Sequence, residues 1–238
     1  MKKVRILHLY PDHMSIYGDY GNVLCLQRRL EWRNIAVELV QCEVGESLPD
    51  SFDLLFVGGG QDTGQLQVAS DLNKKAKHIE QYVSQSGPIL AICGGYQLLG
   101  RYFDTKDNGR IEGIGVLDVV TTATDERMIG NVVIETEDFG SIVGFENHSG
   151  ATDVIYPTKT LGKIKKGYGN NPTKKFEGAR KANIIGTYLH GSLLPKNPRL
   201  ADWLLQKALD HAQIEMTLNP IDDWLESEAH DFALRLKP

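Results

Sequence analysis

A cysteine set between a buried apolar run and two glycines is the residue of this chain best placed to attack a carbonyl. The run at 88–92, Pro-Ile-Leu-Ala-Ile, is bracketed by Gly87 before it and by Gly94 and Gly95 after Cys93, and it reads as a short buried strand ending in a sharp turn. Tyr96 and Leu99 then fall in the first turns of a helix. Ala91-Ile92-Cys93-Gly94-Gly95 matches the small-x-nucleophile-x-small pattern of a nucleophile elbow, in which small neighbours let the backbone double back without a Cβ clash. A helix start also favours negative charge and can draw a thiol below its free pKa of about 8.5. The competing reading of Cys93 is a small apolar core residue.

A nucleophile needs a base and a place for the charge it creates. The segment 183–191, Asn-Ile-Ile-Gly-Thr-Tyr-Leu-His-Gly, is a buried strand that ends on His190, which suits a general base at the same sheet edge as Cys93. His148, in Glu-Asn-His-Ser-Gly at 146–150, is its rival and reads instead as a structural or pocket-lining histidine. Gly58, Gly59 and Gly60 follow the strand Phe-Asp-Leu-Leu-Phe-Val at 52–57. Their N–H groups suit an oxyanion hole in which Gly59 or Gly60 acts with Gly94. A plain tight turn and a phosphate loop are the alternatives, and the second lacks both the GxGxxG and the GxxxxGK[ST] spacing. Arg127 is either a solvated surface charge or a fork for a carboxylate.

The elements that must hold these groups follow from periodicity. Strands are predicted at 4–9, 36–42, 52–57, 88–92 and 183–190, and helices at 23–33, 71–84, 198–213 and 222–237, with Asn22 as a helix N-cap. The helix after Cys93 is expected to continue through 98–102, and 112–118 to be the start of a strand. Strands alternating with helices predict an α/β fold, a three-layer αβα sandwich with a mostly parallel central sheet. Residues 119–150 alternate as an antiparallel hairpin region carrying Arg127. The last two helices carry apolar stripes, Trp203, Leu204, Ala208 and His211 in one and Leu225, Ala229, Phe232 and Leu236 in the other, which read as core packing. The expected organisation is a main domain over 1–210 and a helical extension over 211–238 packed on it.

Composition excludes several classes. The 238 residues carry 26 basic and 31 acidic side chains, a net charge of −5, with no basic block to track a nucleic acid backbone. Cys25, Cys42 and Cys93 are three, an odd number, and widely spaced, which speaks against a disulfide framework and a cysteine zinc site. No metal site is expected. The absence of a long apolar run argues against a signal peptide or a membrane span and for a soluble cytoplasmic protein.

With these residues in place, the chain resembles the class I (triad) glutamine amidotransferases of the cobyric-acid-synthase-like branch. Within it the likeness is to the stand-alone glutaminase subunits of lipid II isoglutaminyl synthases. It is carried by Gly-Gly-Gly-Gln-Asp at 58–62, Ile-Cys-Gly-Gly-Tyr-Gln at 92–97, Ile-Val-Gly-Phe-Glu-Asn-His at 142–148, Gly-Tyr-Gly-Asn-Asn at 167–171 and Gly-Thr-Tyr-Leu-His-Gly at 186–191. The resemblance implies a flavodoxin-like amidotransferase fold and a reaction in which Cys93 attacks the side-chain amide of L-glutamine while His190 moves the protons. It places Arg127 on the glutamine carboxylate and makes Gln97 a candidate for the substrate's amino or carboxylate end. It further implies a heterodimer with a Mur-ligase-like synthetase subunit that uses the ammonia to amidate the peptidoglycan stem peptide. No cofactor is expected in this chain, and ATP belongs on the partner. A cobyrinic-acid-like acceptor, a γ-glutamyl cysteine hydrolase and a non-catalytic binding module are the alternative readings. His190 is followed by Gly191 and Ser192 rather than by the His-x-Glu acid of many relatives. A dyad, an acid from elsewhere in the chain, or one supplied by the partner could fill the gap; the partner-supplied acid predicts a free subunit that is a poor glutaminase.

Overall fold

The computed structural model describes residues 3–60, 62–107 and 109–237; Gln61 of the glycine motif lies outside them. The first half alternates as predicted: β1 (Val4–Leu9), α1 (Tyr20–Glu31), β2 (Val37–Cys42), β3 (Leu54–Val57), α2 (Asp62–Ser84), β4 (Ile89–Ile92) and α3 (Gly94–Leu99). Six short or long strands follow, β5 (Tyr102–Asp104), β6 (Arg110–Glu112), β7 (Val119–Thr136), β8 (Gly140–Val154), β9 (Gly162–Lys166) and β10 (Phe176–Glu177). The chain then returns through β11 (Ala179–Lys181) and β12 (Ile184–Thr187), a 3₁₀ turn at Leu194–Lys196, α4 (Pro198–His211) and α5 (Trp224–Arg235).

The central sheet has the order β11-β12-β4-β3-β1-β2, parallel except for β11. All residues of β3, β4 and β12 are buried, as strands covered on both faces must be, and this is why they read as unbroken apolar runs rather than alternating ones. From β1 the chain steps outward to β2, and from β3 it steps the opposite way to β4. Right-handed crossovers therefore put α1 and α2 on opposite faces of the sheet. α4 packs with α1 and β3, burying Leu200, Ala201, Leu204, Leu205, Ala208 and Leu209 at helical spacing.

A second sheet, in the order β10-β9-β7-β5-β6 with β8 paired to β7, is built around the long β7–β8 hairpin. It is joined to the central sheet by an antiparallel bridge between Phe145 and His190. The β7–β8 register shifts between Ala123 and Met128, and this irregularity carries Arg127.

Local expectations are corrected at five places. Asn22 is no N-cap: it lies inside α1, and its Oδ1 accepts the Leu194 N–H at 2.8 Å. α2 starts at Asp62 rather than at 71, and α3 stops at Leu99, with Gly100 extended. Tyr102, expected to close that helix, instead opens strand β5. At 112–118 the glycines Gly113 and Gly115 break the pattern, leaving strand only at Arg110–Glu112. The last helix does not bury its stripe, for Trp224, Leu225 and Phe232 are 65, 68 and 60 % exposed. Polar ties fix that helix instead: Arg29 pairs with Asp223 just before it, His230 Nδ1 donates to the Lys196 carbonyl at 2.7 Å, and Lys166 Nζ donates to the Leu234 carbonyl at 2.8 Å.

Candidate active site

Four loops leave the carboxyl ends of β1, β3, β4 and β12 side by side, the edge at which ligands of open α/β sheets bind. The β4 loop is one residue long. Cys93 sits there at φ 50° and ψ −105°, a left-handed conformation that costs a non-glycine residue on the order of 1–3 kcal/mol. The strain is fixed from both sides: the Cys93 N–H donates to the Thr187 carbonyl at 2.8 Å, and the Gly95 N–H donates to the Gly58 carbonyl at 3.1 Å. Only glycine fits at 95, where a β-carbon would lie 2.8 Å from the carbonyl oxygens of Val57 and Gly58.

His190 is fully buried, and its Nδ1 lies 3.0 Å from Asp19 Oδ1. Asp19 follows β1, is fully buried as well, and its other oxygen accepts the Gly59 N–H at 2.7 Å. The acid missing after His190 in sequence is thus supplied by this chain, which overturns the expectation of a partner-supplied carboxylate. A β-carbon at Gly59 would stand 2.6 Å from His190 Cε1 and 3.3 Å from Cys93 Cβ; the glycine lets base, nucleophile and backbone meet. His190 Nε2 has no well-formed hydrogen bond in the resting site, the loose contact common before substrate arrives. Burial works against the charged imidazole, but Asp19 and the Cys93 sulfur outweigh it and raise the His190 pKa to about 10.

The glycine loop divides its work. Gly59 is spent on Asp19 and leaves the set of candidate oxyanion donors; Gly60 and Gly94 remain, and a β-carbon on Gly94 would come 3.1 Å from the Gly60 nitrogen, so the two residues adjoin.

A cleft of about 360 Å³ opens over the thiol, lined among others by Tyr17, Gly60, Cys93, Gln97, Arg127 and His148. Arg127 reaches its rim from β7, with Nε donating to Asn147 Oδ1 at 2.8 Å and Nη2 to the Tyr17 hydroxyl at 3.4 Å. Tyr17 in turn lies edge-on to the His190 ring. Gln97 lines the cleft, but both ends of its amide are engaged: Oε1 accepts from Gln65 Nε2 at 3.0 Å and Nε2 donates to the Tyr188 hydroxyl at 3.1 Å. These bonds brace the wall and leave one Nε2 hydrogen and one Oε1 lone pair of the amide uncommitted. His148 stacks flat on Tyr188, ring centroids 3.6 Å apart; burial lowers its pKa, with the nearby Glu146 pulling the other way. That is the pocket-lining role read from the sequence.

Asp19, Tyr17, Gln65 and Asn147 were not among the residues the sequence pointed to. The signal available for Asp19 was its place in the loop after the strand that neighbours β3.

Solved structures share this architecture. PurLQS from Thermotoga maritima aligns over 89% of this chain and 99% of its own, with a TM-score of 0.63 at 16% identity, a likeness of fold. The fold is that of a class I glutamine amidotransferase. The family of CobB/CobQ-like glutamine amidotransferase domains matches residues 5–198, and the chain belongs to it. Subunit GatD of lipid II isoglutaminyl synthase (glutamine-hydrolyzing) from Staphylococcus aureus (strain N315) is 40% identical over 230 residues, which is 96% of this chain and 94% of that one. The subunit of the same name from Streptococcus pneumoniae (strain ATCC BAA-255 / R6) is 41% identical over 216 residues, 87% of this chain and 81% of that one.

Proposed function

We propose that this chain is the glutaminase subunit of a lipid II isoglutaminyl synthase, and that Cys93, His190 and Asp19 are its catalytic residues. The observation that carries the reading is the placement of a strained cysteine against an aspartate-held histidine in a small cleft, in a chain 40% identical to a GatD subunit over nearly its whole length. Arg127 holds the α-carboxylate of L-glutamine at the rim, which sets the side-chain amide over the thiol. The sulfur attacks the amide carbon, and the N–H groups of Gly60 and Gly94 take the oxyanion. The protonated His190, stabilised by Asp19, gives its proton to the departing ammonia. Water deprotonated by the now neutral ring then attacks the γ-glutamyl thioester, and its proton returns through His190 to the cysteine as glutamate leaves.

The ammonia is used by a Mur-ligase-like partner in a cytoplasmic heterodimer, which spends ATP to activate and amidate the D-glutamate α-carboxyl of the peptidoglycan stem. Residues 1–210 form the amidotransferase domain, and 211–238 a helical extension of the same unit. No helix among the described residues is long and apolar enough to cross a membrane. The test is ammonia release by the purified chain from L-glutamine, followed by amidation of lipid II when the ligase subunit and ATP are added. Release without amidation would retain the glutaminase and reject the acceptor.

A further inference from the structure

Beneath the reactive pair lies a carboxylate that the reaction does not touch. Glu177, the last residue of β10, is fully buried. Its Oε1 accepts the Thr187 hydroxyl at 2.5 Å and the Tyr188 N–H at 2.7 Å, while Oε2 has no hydrogen-bond partner among the described residues. A buried carboxylate with one oxygen unpaired is an expensive way to tie two strands together. The donors to it, however, belong to two residues on which the site depends.

Thr187 is the last residue of β12, and its carbonyl holds the N–H of Cys93 at 2.8 Å. Its hydroxyl oxygen also accepts the Leu189 N–H at 3.1 Å, within the short run that ends on His190. Tyr188 stacks on His148 and takes the Gln97 amide of the elbow helix on its hydroxyl. Fixing the Thr187 rotamer and the Tyr188 backbone therefore fixes the anchor of the nucleophile and the approach of the base together.

We infer that Glu177 is a positioning residue, which through Thr187 and Tyr188 holds Cys93 and His190 at their working separation. The inference rests on the glutaminase reading for its activity readout only. The groups that bear on its charge are Glu146 from β8 and the Tyr96 phenol from α3. Burial, together with Glu146 and against the Thr187 and Tyr188 hydrogen bonds, raises its pKa to about 7.

The test uses the full chain and three variants, Glu177→Gln, Glu177→Ala and Thr187→Val, each checked by thermal melting. Two readouts are taken: kcat and KM for glutamine, and the rate of Cys93 alkylation by iodoacetamide between pH 5 and 9. Glu177→Ala should lower kcat at least tenfold with KM within twofold, and should displace the pH profile of alkylation, because that profile reports the sulfur–imidazole pair. Glu177→Gln, which keeps an acceptor oxygen, should recover kcat to within about threefold of wild type. A kcat for Glu177→Ala within twofold of wild type, or a glutamine variant as impaired as the alanine one, overturns the inference. If Glu177→Ala does not fold, Thr187→Val decides: a drop of at least threefold in kcat at unchanged KM supports the role, and an unchanged kcat overturns it. If the wild-type chain releases no ammonia, the glutaminase reading has failed, and the alkylation profile alone decides for or against Glu177.

Discussion

Asp19 and His190 stand 171 residues apart in the chain and 3.0 Å apart in the fold. The carboxylate that orients the base comes from the loop after β1, not from the residues that follow the histidine. A subunit so built carries its own acid, so Asp19→Asn should lower kcat for glutamine roughly 10²–10⁴-fold with little change in KM. The comparison is ammonia release by variant and wild type, each with and without the ligase subunit. A loss of less than threefold, or a rise on adding the partner that disappears when one partner acid is replaced, would return the acid to the partner.

The three thiols should differ sharply in reactivity. Burial pushes the Cys25 pKa up to about 12 and raises that of Cys42 as well, which keeps both as unreactive thiols at neutral pH. Cys93 faces the cleft and a protonatable base. Mass-spectrometric mapping after brief treatment with a glutamine-like electrophile should find the label on Cys93 before the other two, and Cys93→Ala and His190→Ala should each abolish ammonia release while remaining folded. Label accumulating first on Cys25 or Cys42 would contradict this.

Arg127 is exposed in the free chain and held by Asn147 and Tyr17, poised rather than buried. Replacing it by alanine should raise KM for glutamine tenfold or more, a loss of at least ~1.4 kcal/mol. Because lysine cannot form the bidentate fork, Arg127→Lys should recover only part of that. Unchanged steady-state constants for Arg127→Ala would place the residue outside the substrate site.

Stability should follow the titration of His190. Its pKa rises from an ordinary 6.5 to about 10 in the folded chain. Below pH 6.5 the ring is protonated in both states and the favourable interactions of its charge are fully present. As pH climbs from 6.5 towards 10 the unfolded ring gives up its proton first, and that stabilisation is progressively lost. The difference in Tm between wild type and His190→Gln should therefore be largest near pH 6 and shrink by pH 10. A difference that stays flat or grows over that range would show that the ring is not held in its charged form.

The elbow was legible because a strand, a corner and a helix start are all local, and because the glycines that make the turn possible stand next to Cys93. His190 was legible for the same reason, as the end of an apolar run. Asp19 was not, since its role is set by strand order: β1 and β3 become neighbours only in the sheet, and only there does the loop after one meet the glycines after the other. Gly59 was assigned to the oxyanion for want of that contact. The exposed face of α5 escaped for a related reason. An amphipathic pattern says that a helix has an apolar side, and Trp224, Leu225 and Phe232 do form one, but whether that side meets the core depends on tertiary placement, and α5 packs against the 3₁₀ turn and β8 with these three side chains left outside.

The bridge between Phe145 and His190, with β12 inserted between β4 and β11, bears on how the protein comes into being on the ribosome. A growing chain can shape β1 to α3, and with them the corner that holds Cys93, long before residue 190 has been synthesised. Until the histidine arrives and is gripped by Asp19 on one side and by the hairpin on the other, the thiol has no proton acceptor. The nascent subunit therefore lacks its base through most of its translation, and the reactive pair is complete only once the slot in the central sheet is filled.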